Sequence, residues 1–118
     1  MQRFSVMLDV SRNGVMKVEK VKEFVDYIKL FGYNSLMLYT EDTYEIEGEA
    51  RFGYLRGRYT KEELKEIDAY ATSRGVEVIP CVQTLAHLNQ IFYWKEYDEI
   101  KDFNDILLVG EEKTYEFI

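Results

Sequence analysis

The stretch "MLDVSRNGVM", 7–16, places Asp9, Ser11, Arg12 and Asn13 within five residues. A tight turn needs only Asn-Gly. The acid and the arginine add a carboxylate acceptor and a guanidinium fork, groups that suit recognition of hydroxyls or carboxylates. Two further groupings follow. "YTEDTY" brings Thr40, Glu41 and Asp42 together, and "VQTLAH" brings Gln83, Thr84 and His87, the sole histidine. Adjacent carboxylates and an imidazole can hold or pass protons. Tyr44, Phe52, Tyr54, Tyr59, Tyr93 and Trp94 stand among these groups. Donors and acceptors beside ring faces suit a sugar, whose hydroxyls need polar partners and whose C–H faces pack on rings.

The elements that must position these residues are legible. Residues 4–8 are apolar on both faces apart from Ser5, which predicts a strand covered on both sides. In "KVEKVKEFVDYIKLFG", Val21, Phe24, Val25, Ile28 and Phe31 recur at helical spacing, and Gly32 is a natural stop. A second strand is predicted over 35–40, followed by a long loop over 41–59. Thr60 and Glu63 form a capping box for a second helix whose buried face is Leu64, Ile67 and Ala71; Gly75 ends it. A third strand is predicted over 76–84. Pro80 within it suggests a bend, a bulge or an unpaired position, because proline cannot donate to a ladder. "LAHLNQIFYWKEY" reads as partly helical, "ILLVG" as a short extended segment, and "KTYEFI" as the first turn of another helix.

Strand, helix, strand, helix, strand is the pattern of α/β proteins with a parallel sheet. In such folds all strand C-termini lie at one end of the sheet, where functional groups collect on the following loops. The three groupings found above all follow predicted strands, so all three fall at that end. Each has a plainer explanation when taken alone. Asp9 can cap a turn and pair with Arg12 on the surface, His87 can be a packed or capping residue, and the aromatics can be loop packing. It is the coincidence of three strand ends that points to a site.

The chain has 118 residues, 47% hydrophobic and 31% charged, with one proline and seven glycines, which suits one globular domain or a piece of one. Its net charge of −7 argues against nucleic acid as a partner, which calls for clustered Lys and Arg. Cys81 is alone, so a disulfide within the chain is excluded, and its apolar setting predicts a small buried hydrophobe. One cysteine and one histidine fall short of a zinc site, and no phosphate loop or dinucleotide fingerprint follows a strand. No metal and no cofactor are expected. No run approaches membrane-spanning length and no signal-like leader opens the chain, so no membrane association and a cytoplasmic location are expected.

With these residues in hand, the chain resembles the family 20 glycoside hydrolases, the β-N-acetylhexosaminidases. "MLDVSR" is similar to that family's first barrel strand, "LMLYTEDTYEI" to its second strand and acidic loop, and "VIPCVQTLAHL" to its third strand and histidine. The run from "FGYLRGRYTKEELKEIDAYA" to "GVEVIPCVQTLAHL" resembles a bacterial branch of exo-acting N-acetylglucosaminidases. Leu85-Ala86 stands where the commoner form has Pro-Gly, and Thr43 and Tyr44 stand where it has glutamine and tryptophan.

The resemblance implies the N-terminal portion of a (β/α)8 TIM barrel, with residues 1–118 forming a partial catalytic domain that stops before the fourth strand. It implies an N-acetylhexosamine-terminated glycan as the partner. Arg12 would grip the terminal sugar's hydroxyls, with Asp9, Glu41, Asp42 and His87 in the binding site and Asp42 and His87 as supports behind the acid. The family's catalytic Asp-Glu pair follows the fourth strand, so no catalytic residue is expected here, and the 118 residues alone are expected to be inactive. Two alternatives stand beside this reading. One is a non-catalytic sugar-binding or self-assembling half-barrel, pairing through its open sheet edges. The other is a different sugar-acting barrel enzyme.

Overall fold

The computed structural model describes residues 2–12 and 14–118. Asn13, part of the first strand-end grouping, lies outside the described residues. Strand β1 is Ser5–Asp9, helix α1 Val18–Leu30, strand β2 Ser35–Tyr39, helix α2 Lys61–Ser73 and strand β3 Glu77–Cys81. A segment of 3-10 turns, Ile91–Tyr93 and Lys95–Ile100, leads to a hairpin of β4 (Lys101–Phe103) and β5 (Ile106–Leu107). The short helix α3, Glu112–Phe117, follows.

The main sheet has the order β1-β2-β3, all parallel and without a register shift. Ser5, Ser35 and Glu77 lie in one row, Met7, Met37 and Ile79 in the next, and Asp9, Tyr39 and Cys81 in the last. Because side chains alternate along a strand, these three rows share one face. The other face presents Val6, Leu8, Leu36, Leu38 and Val78 to α1 and α2. Val21, Val25 and Ile28 of α1 and Ile67 and Ala71 of α2 close that core. Each large aliphatic buried there contributes about 1.5–3 kcal/mol.

Helix α2 starts as its sequence predicts. The Glu63 amide donates to Thr60 Oγ1 at 3.1 Å, and the Thr60 amide donates to Glu63 Oε2 at 2.9 Å. Helix α1 ends at Leu30, one residue before Phe31, which therefore does not join its apolar stripe. Phe31 is the C-cap, the chain turns at Gly32 with φ +85°, and the phenyl ring is left exposed.

Three expectations for the sheet are corrected. β1 is not covered on both sides: Ser5, Met7 and Asp9 are exposed, because the helices of the described residues pack on one face only. Pro80 makes neither bend nor bulge. It pairs in register with Leu38 on β3, which is an edge strand here, so its missing N–H interrupts no ladder on the far side. β3 ends at Cys81 rather than at residue 84, and Cys81 is half-buried because it belongs to the uncovered row.

A second, smaller core lies beyond the strand C-termini. Phe52 from the loop after β2 packs with Leu88, Ile91, Phe92, Tyr97, Ile100 and Leu107, and Phe117 of α3 leans on it. The 41–59 loop is therefore a packed body attached to the segment that follows β3. Among the described residues no helix is long and apolar enough to cross a membrane.

Candidate functional site

The three strands end level, with Asp9, Tyr39 and Cys81 in register. The loops that leave this row carry all the candidate residues. After β1 the chain makes a tight turn in which Asp9 Oδ1 accepts from the Ser11 amide at 2.8 Å and from Ser11 Oγ at 2.7 Å. These bonds, chiefly the hydroxyl one, hold the Asp9 carboxyl below its ordinary pKa, and the nearby Arg12 charge adds to the effect. Arg12 itself pairs across the strands with Glu41, Nη1 to Oε2 at 3.1 Å.

Glu41 is the hinge of the site. It follows β2 in a left-handed conformation, φ 51°, and its side chain is buried. Its carboxylate accepts from Arg12 and, at 3.2 Å, from the Tyr39 hydroxyl. Its own amide donates to Gln83 Oε1 at 3.0 Å. One residue thus touches groups from all three strand ends. A non-glycine residue at positive φ costs of order 1–2 kcal/mol, and such strain concentrates where geometry matters for function.

Asp42 lies deeper. Its carboxylate faces Arg56, Oδ1 to Nη2 at 3.4 Å, with side chains 3% and 15% exposed. Burial pushes the Asp42 carboxyl above its ordinary pKa; Arg56 opposes that shift, and the neighbouring Glu41 charge adds to it. The Asp42 carbonyl lies against Gly53, where a Cβ would stand 2.1 Å from its oxygen, so the loop closes here only because residue 53 has no side chain. Arg56 also donates to the Ser11 carbonyl, tying the loop after β2 to the turn after β1.

His87 follows β3 on a pinned stretch. Leu85 accepts from the Leu107 amide at 2.9 Å and the Leu88 amide donates to Asp105 at 3.2 Å. Between these anchors His87 takes φ 63° and its imidazole is exposed. Among the described residues no hydrogen bond or ion pair joins it to Asp42.

The aromatics divide. Phe52 and Tyr59 are buried in the two cores, and Tyr44 packs edge-on to Phe52 at 5.1 Å. Tyr54 and Trp94 meet edge to face at 5.3 Å, and the Arg51 guanidinium lies over both rings at 4.7 and 4.6 Å. Those ring faces are occupied by a cation, so this pair joins two loops rather than forming an open platform. Tyr93 is exposed. Arg58 is engaged too, donating to the carbonyls of Ala50 and Phe52 and pairing with Glu45 at 3.4 Å.

Arg56 as an organiser of the site is what reading the sequence missed; Gln83 was among the strand-end groups, and the structure gives it the Glu41 amide as partner. The available signal was the pairing of a double acid with an arginine-rich, glycine-spaced loop, since a carboxylate entering a buried turn needs a counter-charge close by in space. The sequence model of the glycosyl hydrolase family 20 catalytic domain matches residues 4–117. The chain belongs to glycosyl hydrolase family 20. Hexosaminidase D of Bos taurus is 35% identical over 72 residues, covering 61% of this chain and 21% of its own length. The β-hexosaminidase of Akkermansia muciniphila is 31% identical over 100 residues, covering 70% and 20%. The chain thus spans about a fifth of these relatives.

Solved structures of the family superpose on it. The GH20 β-N-acetylhexosaminidase of Streptomyces coelicolor A3(2) does so with a TM-score of 0.79 at 28% identity, covering 96% of this chain and 28% of that one. The GH20 exo-β-N-acetylglucosaminidase of Vibrio harveyi, in complex with N-acetylglucosamine, reaches 0.82 at 18% identity, covering 98% and 24%. The parallel β1-β2-β3 sheet with its intervening helices is part of a family 20 TIM barrel. The one Asp-Glu step in the sequence, Asp98-Glu99, lies on an exposed 3-10 turn rather than after a barrel strand. Glu99 pairs with Lys113, which holds its carboxyl below the ordinary pKa, opposite to what a catalytic acid needs.

Proposed function

We propose that these strand ends form one wall of the sugar site of an exo-acting enzyme that removes terminal β-linked N-acetylglucosamine or N-acetylgalactosamine. The observation that carries this reading is the Arg12–Glu41 pair. A guanidinium is presented at the common strand end by a buried carboxylate that fixes it without enclosing it. Such a fork can donate to two neighbouring sugar hydroxyls, and carboxylate acceptors beside it, Asp9 among them, complete the polar recognition.

Asp42 and His87 take the supporting positions behind a general acid. In the substrate-assisted, retaining form of this chemistry a glutamic acid protonates the leaving oxygen. The sugar's own acetamido oxygen attacks the anomeric carbon, held in place by an aspartate. Neither member of that acid pair is assigned within these 118 residues. Preference for gluco or galacto sugars is left to direct measurement.

The test is hydrolysis by the full-length gene product of an aryl N-acetyl-β-glucosaminide, an aryl N-acetyl-β-galactosaminide and the corresponding aryl β-glucoside. Turnover restricted to the N-acetylated substrates supports the reading. Equal turnover of the plain glucoside, or none of the N-acetylated ones, overturns it.

A further inference from the structure

We propose that Arg56 is a positioning residue of this site: it is the buried counter-charge to Asp42 and the anchor of Ser11, and so sets the two loops that carry Asp42 and Arg12. The role rests on the reading of this strand end as a sugar site.

The loop is shaped to turn Arg56 inward. Gly53, Leu55 and Gly57 all adopt left-handed conformations, with φ 64°, 64° and 65°. Alternate left-handed residues fold the chain sharply, and at Leu55 the cost falls on a residue with a side chain. Leu55 is left 84% exposed while Arg56, next to it, is nearly buried. An exposed leucine in a strained conformation beside a buried arginine inverts the usual preference of both residues. What the inversion achieves is the delivery of one guanidinium to two places, the Asp42 carboxylate and the Ser11 carbonyl.

Ser11 is fully buried and precedes Arg12. Its amide and hydroxyl are held by Asp9, and its carbonyl is held by Arg56. The backbone that launches Arg12 is therefore fixed at every polar group of the preceding residue. On the other side, the charges and titratable groups facing Asp42 are Arg56, Glu41, Arg12 and Tyr44. Of these Arg56 is the largest influence favouring the carboxylate.

The pair is not a closed fork. Asp42 Oδ1 and Arg56 Nε each lack a hydrogen-bond partner among the described residues. A buried pair left short of hydrogen bonds depends on its mutual charge, so losing one partner strands the other. The unpartnered Oδ1 is the buried oxygen that faces Arg56, so what compensates it is the guanidinium charge at 3.4 Å rather than a hydrogen bond.

The experiment uses the full-length gene product with Arg56→Met, Arg56→Lys, Asp42→Asn and the Asp42→Asn/Arg56→Met double variant. Two quantities are read, the pH profile of kcat/KM and the Tm at neutral pH and near pH 4. Without Arg56 the Asp42 carboxyl is raised further. A raised folded pKa contributes stability below the unfolded value and loses it as pH rises. The Arg56→Met deficit in Tm should therefore be large at neutral pH, shrink near pH 4, and be much reduced in the Asp42→Asn background. The acid limb of kcat/KM should move up by about one pH unit or more, a tenfold loss at a fixed pH on that limb, and Arg56→Lys should restore it.

An equal Tm deficit at both pH values and in both backgrounds, with an unmoved acid limb, overturns the proposal and leaves Arg56 as a plain brace. If Arg56→Met yields no folded protein, the double variant decides: a recovered fold supports the pairing and a second failure overturns it. If the unaltered protein hydrolyses no N-acetylhexosaminide, the sugar-site reading fails, and the Tm comparison still decides the pairing.

Discussion

Arg12 and Glu41 meet at 3.1 Å from the ends of adjacent strands, and they are unequal partners: the Arg12 side chain is 64% exposed and that of Glu41 1%. A surface ion pair between two mobile groups contributes little. Here one partner is locked by its own strand, its backbone amide and the Tyr39 hydroxyl, so the other is held at a defined place at the mouth of the site. The pair orients a cation toward solvent more than it stabilises the fold.

Arg12→Ala is expected to lower kcat/KM for an aryl N-acetyl-β-glucosaminide by about a hundredfold, the loss of two charge-assisted hydrogen bonds. The Tm should barely change, because the guanidinium is largely in water. Kinetics and thermal melts on the same preparations check both parts. A large fall in Tm with unchanged kcat/KM would show that Arg12 serves folding instead.

Gly53→Ala should be among the most damaging single-methyl changes in the chain. The new Cβ would meet the Asp42 carbonyl at 2.1 Å in a backbone with φ +64°. A loss of about 3 kcal/mol or more is expected from combined clash and strain. Gly48→Ala is the matched control: its φ is +88° but nothing lies within 4 Å. Its cost should be about 1–2 kcal/mol, from backbone strain alone. Denaturant melts of the two variants give the difference directly.

Tyr59 supplies a pH test of the main core. Its hydroxyl donates to the Met16 carbonyl at 2.6 Å, and burial, with the Glu63 charge adding, pushes its pKa up to about 12 from 10.0. The folded value lies above the unfolded one, so its contribution is complete below about pH 10 and is lost as pH rises toward about 12. Tyr97 is shifted in the same direction by burial and by Glu49. Tyr59→Phe should therefore remove part of the alkaline decline in Tm, not all of it. An alkaline slope identical in Tyr59→Phe and the unaltered protein would contradict this account.

The 118-residue chain by itself is expected to show no turnover of an aryl N-acetylhexosaminide. Its one Asp-Glu step is exposed, paired with Lys113 and away from the strand ends. Activity in rigorously purified chain that disappears with Arg12→Ala would refute the expectation.

Much of the scaffold could be read before folding was considered. The capping box at Thr60 and Glu63, the apolar stripe of α1 and the three strand cores are local signals, and each appears where its residues place it. Relationships between strands were harder. Arg12 stands three residues from Asp9 in sequence, which makes a local pair look natural, but the turn at Ser11 claims Asp9 and the level strand ends bring Glu41 to Arg12. Arg56 was invisible for the same reason, since its partners are 14 and 45 positions away. The exposure of Met7 and Cys81 could not be read from their apolar character, because polarity records what a strand face prefers and not whether anything covers it.

The packing of the 41–59 loop has a consequence for limited proteolysis. A stretch this long between two regular elements would ordinarily be the first place a trypsin-like protease cuts. Its three arginines, however, are each withdrawn from use: Arg51 lies over two aromatic rings, Arg56 reaches Asp42 and Ser11, and Arg58 holds the carbonyls of Ala50 and Phe52. Cleavage needs an extended arginine side chain and a free length of backbone, so cutting must await an opening of the loop. The rate of nicking after these arginines then reports how often the wall of the site comes apart.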